Sequence, residues 1–237
     1  MIEVHPDPNS ALSDNEQQMN VSEFKEFMDK FVVFDLDGTL IDTLTGLTEA
    51  VNLTLKEINK PYSYKKEEVK TFIGRGAKRL FALASKNDNN PAEFDLFLKN
   101  YERCQYISEV FPGVKKTLLA LIAKGYKLII YSNKPDAILQ KLIKEKLGDI
   151  DFSYVQGQDN RYPPKPDITL LTNILNKLNL KAEDGIYVGD SIVDLETARN
   201  ARMKCVIFSF GYGDQKEIIN SAPDFYFDKF EKLNDIL

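Results

Sequence analysis

Asp35 and Asp37 stand two residues apart in "FDLDGT", directly behind the apolar run Phe31-Val32-Val33-Phe34. Ser132 and Asn133 end a second apolar run, "KLIIYSN", and Asp190 ends another, "GIYVGD", with Asp194 one helical turn on. Lys165 lies between prolines in "PPKPD". Carboxylates clustered at the ends of buried segments repel one another and lose hydration, so they call for a cation among them. Oxygen ligands suit a hard ion, and Mg2+ is the usual one where phosphate is handled. An ionised carboxylate can attack phosphorus to give an aspartyl-phosphate. A second carboxylate nearby can protonate the leaving oxygen and later activate water. Ser132 and Lys165 are of the types that bind phosphoryl oxygens and offset their growing charge. Gly38 lets the backbone turn tightly behind the acids, with amide N–H groups facing an anion.

Such chemistry needs a scaffold that brings distant residues to one edge. Short β-like runs occur at 31–35, 127–131, 152–155, 186–189 and 205–209, with another at 224–227. Amphipathic segments at 114–124, 135–146, 168–178 and 191–202 read as helices between them. This alternation predicts an α/β protein with a parallel, doubly wound sheet. Strands apolar throughout fit a sheet covered on both faces. Ligands of such sheets bind at the carboxyl ends of the strands, where these acids fall.

The stretch 44–108 breaks the alternation. It reads as helices only, with breaks near Lys60-Pro61, Ile73-Gly74 and Asn89-Asn90-Pro91, and predicts a small inserted helical domain. "FPGV", Phe111–Val114, marks the return. The expected division is a core of 31–43 and 109–237, a helical insert of 44–108, and an extension of 1–30 that is part of the core or packs on it. Within that extension Met19, Val21, Phe24, Phe27 and Met28 fall at helical spacing, which predicts a helix over 14–29.

Composition bounds the rest. The chain has 237 residues, 43% hydrophobic and 28% charged, a globular balance. A net charge of −5 argues against nucleic acid as the main partner. The two cysteines, Cys104 and Cys205, form no paired pattern, which fits a reducing cytoplasm. Cys104 is expected in packing of the insert and Cys205 in a strand core. No apolar stretch approaches the ~18 residues of a membrane span. The opening "MIEVHPDPNS" lacks the layout of a secretory signal. A cytoplasmic protein without a membrane partner is expected. His5, the single histidine, lies in a polar lead, which argues against a histidine relay. Taken alone, each motif has a plainer reading. Asp35-x-Asp37-Gly38 could be a turn or a calcium loop, Asp190-Ser191 a helix cap, Asp194 an exposed helical acid, and Lys165 a loop lysine.

Together, "DLDGTLIDT", "YSNKP", "PPKPD" and "VGDSIVD" resemble the four motifs of haloacid dehalogenase-like hydrolases in order and spacing. The pattern is most similar to the phosphoglycolate phosphatase-like branch, whose helical cap follows the first motif. The resemblance covers about residues 31–237 and implies a Rossmann-like core with an α-helical cap. It implies that Asp35 is the nucleophile and Asp37 the general acid/base. Ser132 and Lys165 would bind phosphate, and Asn133 is grouped with them at the same strand end. Mg2+ would be held by Asp35, the main-chain carbonyl of Asp37, and Asp190, with Asp194 supporting the metal shell. "FIGRGAKRL" resembles the cap loop of this branch, with Arg75 or Lys78 reaching the anionic tail of a substrate. Residues 1–30 depart from the pattern, since the first motif usually lies near the N-terminus. The expected activity is Mg2+-dependent hydrolysis of small phosphomonoesters by a monomer or homodimer. A phosphomutase resembling β-phosphoglucomutase shares the motifs, and a non-catalytic binding protein on this fold is the remaining alternative. A dehalogenase is disfavoured because halide release needs no proton from Asp37. A phosphonatase would need a Schiff-base lysine in the cap; Lys78 offers one, but this reading is disfavoured.

Overall fold

The structure is a computed structural model that describes residues 3–4, 18–19, 30–87, 90–159 and 161–237. Two short strands, β1 (Glu3–Val4) and β2 (Gln18–Met19), pair in parallel. The helix expected over 14–29 otherwise lies outside the described residues. At Gln18–Met19 the backbone is extended instead, because it pairs with β1.

β3 (Phe31–Phe34) consists of aromatic and β-branched residues, all buried, which suits a strand covered on both faces. After it come β4 (Ile41–Asp42), α1 (Leu44–Glu57), α2 (Lys66–Lys70), α3 (Ala77–Ser85), α4 (Pro91–Cys104) and β5 (Glu109–Val110). The chain continues through α5 (Val114–Ala123), β6 (Lys127–Pro135), α6 (Asp136–Lys146), β7 (Tyr154–Gln158), α7 (Thr169–Lys177) and β8 (Gly185–Gly189). It ends with α8 (Ile192–Asn200), β9 (Lys204–Phe208), α9 (Gln215–Asn220) and β10 (Phe225–Phe227). Six strands form one sheet in the order β10-β9-β8-β3-β6-β7, and every neighbouring pair is parallel. β3 is thus flanked by β8 and β6, and the carboxyl ends of all three open on one edge.

Two strands differ from the expected runs. β6 continues past Tyr131 to Pro135, and β7 is displaced toward Gln158. Pairing explains both, since Ile129–Tyr131 is matched to Tyr154–Gln156 and Pro135 to Gln158. The polar residues Ser132, Asn133 and Lys134 therefore belong to a strand.

Alternate residues feed opposite cores, as a pleated strand requires. Val32, Phe34, Leu128, Ile130, Val188 and Phe208 pack with α5 and α6 on one face. Phe31, Val33, Ile129, Tyr131, Tyr187 and Cys205 pack with α7 and α8 on the other. α1 to α4 enclose a third cluster that includes Leu47, Leu55, Phe81, Phe97 and Cys104. α4 starts where the sequence breaks: the Asn90 side chain accepts from the amide of Glu93, and Pro91 opens the first turn. The helices join the sheet through a two-rung antiparallel ladder, Ile41 opposite Val110 and Asp42 opposite Glu109. Among the described residues no helix is long and apolar enough to cross a membrane.

Phe34 is fully buried in the central strand and stacks on Phe230 at 6.1 Å between centroids. Phe34→Ala should cost about 3–5 kcal/mol, measured as a lower urea midpoint at unchanged slope.

Candidate active site

The amide of Asp35 donates to Val188 O at 2.9 Å, which carries the β3–β8 ladder one step further and fixes where the side chain starts. Its carboxylate is buried. Lys165 Nζ stands 2.9 Å from Asp35 Oδ1, yet that oxygen has no hydrogen-bond donor among the described residues. The two groups form a buried ion pair. Burial is the main cause that pushes the Asp35 carboxyl up to about 6; Asp194 and Asp37 add to it and Lys165 opposes it.

Asp190 follows β8 and is also buried. Its Oδ1 accepts from Thr39 Oγ1 at 3.0 Å and its Oδ2 from the Tyr212 amide at 2.6 Å. Burial, then the charges of Asp194 and Asp35, hold its carboxyl well above the usual range. Gly38, at φ +86°, brings the chain so close that a Cβ there would lie 2.4 Å from Asp190 Oδ2. Only glycine fits that turn.

Asp194, fully buried, is no solvent-facing helical acid. Its Oδ2 accepts from the amides of Asp190 and Ser191 and from Ser191 Oγ at 3.2, 3.1 and 2.6 Å. The last two belong to the start of α8, where Ser191 and Asp194 form a capping box. Its Oδ1 accepts from Lys165 Nζ at 2.7 Å. Lys165 also donates to Tyr187 Oη at 3.1 Å. Asp194 therefore spends its oxygens on orienting Lys165 and the chain at Asp190.

Ser132 is buried at the cleft. Asn133 differs from its expected role at the level of the side chain. Its Nδ2 donates to Gly74 O at 2.8 Å and Lys165 O at 3.1 Å, and its Oδ1 accepts from Lys165 N at 2.7 Å. Both amide hydrogens are used, so this side chain anchors the Lys165 loop and offers phosphate no donor.

Asp37 is paired with a residue that motif reading passed over. Lys134 Nζ, from β6, lies 3.0 Å from Asp37 Oδ1 and also bonds the hydroxyl of Tyr101 in α4. Burial lowers the Lys134 pKa, and Asp37 counteracts this. The helical side of the cleft is lined by Leu47, Lys70, Gly74, Gly76, Leu80 and Tyr101. Arg75 and Lys78 are exposed and do not line it. Gly74 and Gly76, both at positive φ, turn this loop, which meets the cleft at Ile73, Gly74, Gly76 and Ala77. The helical lysine that does line the cleft is Lys70, whose Nζ donates to Gly211 O at 3.1 Å. Tyr212 was likewise missed. Its hydroxyl accepts from the amides of Thr43 and Leu44 and donates to Asp42 Oδ1 at 2.6 Å, while its own amide holds Asp190.

The donor set fits a hard divalent cation. Carboxylate oxygens of Asp35, Asp190 and Asp194 lie within 4.8 Å of one another, all buried. Asp35 Oδ1 is buried, and its one polar contact among the described residues is the Lys165 ammonium, which leaves it a lone pair for a cation. Since Asp194 is fully engaged, Asp35 and Asp190 are the side chains left to ligate.

A sheet with this strand order and acidic and basic groups gathered at its carboxyl edge defines a class. Residues 32–208 match the model of the haloacid dehalogenase-like hydrolases, and the chain belongs to that family. Within it, the chain is 33% identical over 214 residues to a phosphoglycolate phosphatase of Pseudomonas savastanoi, covering 86% of this chain and 78% of that one. It is 32% identical to the phosphoglycolate phosphatase of Colwellia psychrerythraea, covering 85% and 94%. The crystal structure of a predicted phosphoglycolate phosphatase from Haemophilus somnus superposes with a TM-score of 0.77 at 30% identity, covering 89% and 98%. The chain is an enzyme, a phosphatase of that type.

The charges at this edge set two measurable outcomes. Asp190→Asn removes a repelling charge, and the Thr39 hydroxyl can turn to accept from the new amide. Without divalent metal the variant should melt higher than wild type. Adding Mg2+ should raise the melting temperature of wild type and leave the variant nearly unchanged. Because the Asp35 pKa is raised, metal-free wild type should also lose stability as pH rises through about 6. The stabilisation by Mg2+ should fade as pH falls through the same value. Equal Mg2+ shifts for both proteins would reject the assignment.

Proposed function

We propose that the protein hydrolyses small phosphomonoesters, with phosphoglycolate as the leading substrate, through an aspartyl-phosphate on Asp35. The observation that carries this reading is the Asp35 carboxylate. It is buried at the centre of the sheet edge, lies 2.9 Å from the Lys165 ammonium, and stands with Asp190 and Asp194 in a group of carboxylate oxygens within 4.8 Å of one another. The phosphoglycolate phosphatases named above supply the substrate class.

In this reading Asp35 attacks phosphorus while the bond to the leaving oxygen breaks. Asp37 gives its proton to that oxygen, then takes one from the water that cleaves the aspartyl-phosphate. Lys165 and Ser132 bind the phosphoryl oxygens and offset the charge that grows on them. Asp35, the main-chain carbonyl of Asp37, and Asp190 would hold Mg2+, with Asp194 fixing the chain around them. A divalent ion held there would supply charge to offset that of the phosphoryl group. Residues 44–108 serve as a cap over a core of 31–43 and 109–237, and keep bulk water from the transfer step. Lys70 is the cap cation placed to meet an anionic tail. Action on a soluble metabolite in the cytoplasm fits this chemistry.

Asp35→Asn should keep the fold and abolish phosphate release from every ester, since a neutral amide cannot attack phosphorus. Retention of a tenth or more of wild-type turnover would remove Asp35 from the nucleophile's role. Isomerised ester without free phosphate would mark a mutase. Lys165→Ala, shown to be folded by circular dichroism, should lose about 2–4 kcal/mol of transition-state stabilisation in kcat/KM, similarly for all esters.

A further inference from the structure

We propose that Lys134 and Tyr101 together position Asp37 for proton delivery to the leaving oxygen, so that the helical layer completes the acid. The proposal rests on the reading of Asp37 as general acid/base.

Lys134 is almost wholly shielded from solvent, yet no packing need explains a lysine there. An apolar side chain in that place would avoid the cost of burying an ammonium. Among the described residues its ammonium has two polar partners, and both lie at the site. One is Asp37 Oδ1 at 3.0 Å, across β3 and β6. The other is the Tyr101 hydroxyl, and the ammonium also lies 4.2 Å from the centre of that ring. Tyr101 is placed by the core of the helical layer rather than by the sheet. It ends a run of stacked rings, with Phe81 on Phe97 at 4.8 Å and Phe97 on Tyr101 at 5.6 Å. The sheet thus supplies the acid and its cation, and the helices supply the group that holds the cation.

The step balances simply. The bond from Asp35 to phosphorus forms as the bond to the leaving oxygen breaks, and the electron pair stays on that oxygen. The oxygen takes the proton of Asp37. The carboxylate so formed lies against the Lys134 ammonium. Lys165 stands on the other side, at the nucleophile, and takes no part in the proton transfer. The two lysines therefore differ in what they make the enzyme sensitive to.

An ester whose leaving group is a stable anion departs without a proton, and an alkyl ester does not. The test is kcat/KM for phosphoglycolate and glycerol phosphate against 2,4-dinitrophenyl phosphate, with Mg2+ present. This quantity covers the steps up to the aspartyl-phosphate and leaves out its hydrolysis. Lys134→Met keeps the length and removes the charge. It should lose about a hundredfold on the alkyl esters and no more than a few-fold on the dinitrophenyl ester. Tyr101→Phe keeps the ring and removes the hydroxyl. It should lose about tenfold on the alkyl esters and almost nothing on the dinitrophenyl ester. Losses of equal size on all esters, or none, overturn the proposal while the phosphatase reading stands. If Lys134→Met does not fold, Tyr101→Phe decides by the same criterion. Absence of phosphate release by wild type from any ester would overturn both.

Discussion

One ammonium, that of Lys165, lets the carboxyl edge of the sheet exist. It stands 2.9 Å from Asp35 and 2.7 Å from Asp194, with Tyr187 at 3.1 Å. Three buried carboxylates within 4.8 Å would otherwise repel one another in surroundings too dry to screen them. One lysine cannot neutralise three acids, and the remainder is handled locally. Asp194 takes the amides that open α8, and Asp190 takes a threonine hydroxyl and a backbone amide. What stays unanswered is concentrated on Asp35 and Asp190, which line the cleft. The deficit of positive charge that remains suits the site to a divalent ion.

The sheet makes this crowding possible. Parallel strands end in the same direction, and β3 sits between β8 and β6. The chain runs outward from β3 to β7 on one side, then returns to β8 on the other. Such a reversal leaves a crevice beyond the strand ends. Asp35, Ser132 and Asp190, far apart in the sequence, become neighbours through register alone, since Phe34 is level with both Ile130 and Val188.

Most of this architecture was legible because periodicity reports it directly. The strands FVVF and GIYVG and the helices around them lie within a residue or so of where their apolar patterns put them. The acids were legible because a carboxylate ending an apolar run has no packing rationale. Lys134 was not, because the apolar run of β6 stops at Tyr131 while its pairing continues to Pro135. Carrying that strand through "SNKP" would have put a lysine beside Asp37. Tyr101 was hidden for the opposite reason. Its spacing from Phe94 and Phe97 is that of a buried helix face, and it is buried; only its hydroxyl leaves the core. Arg75 and Lys78 are exposed, and their loop meets the cleft instead at Ile73, Gly74, Gly76 and Ala77.

The two-rung ladder between β4 and β5 has an evolutionary meaning. A chain that departs and comes back through adjacent rungs, Ile41 beside Val110, leaves the strand order indifferent to what lies between them. Closing such a gap with a shorter or longer segment changes loop entropy only slowly with length. The helices could be exchanged for others, altering which molecules reach Asp35 while the strands that carry it stay in register. Reaction and selectivity would then be inherited as separable parts. The exchange would still be constrained at two points, since any replacement must offer Lys134 a partner in place of Tyr101, and give the Tyr212 hydroxyl a helix start to hold.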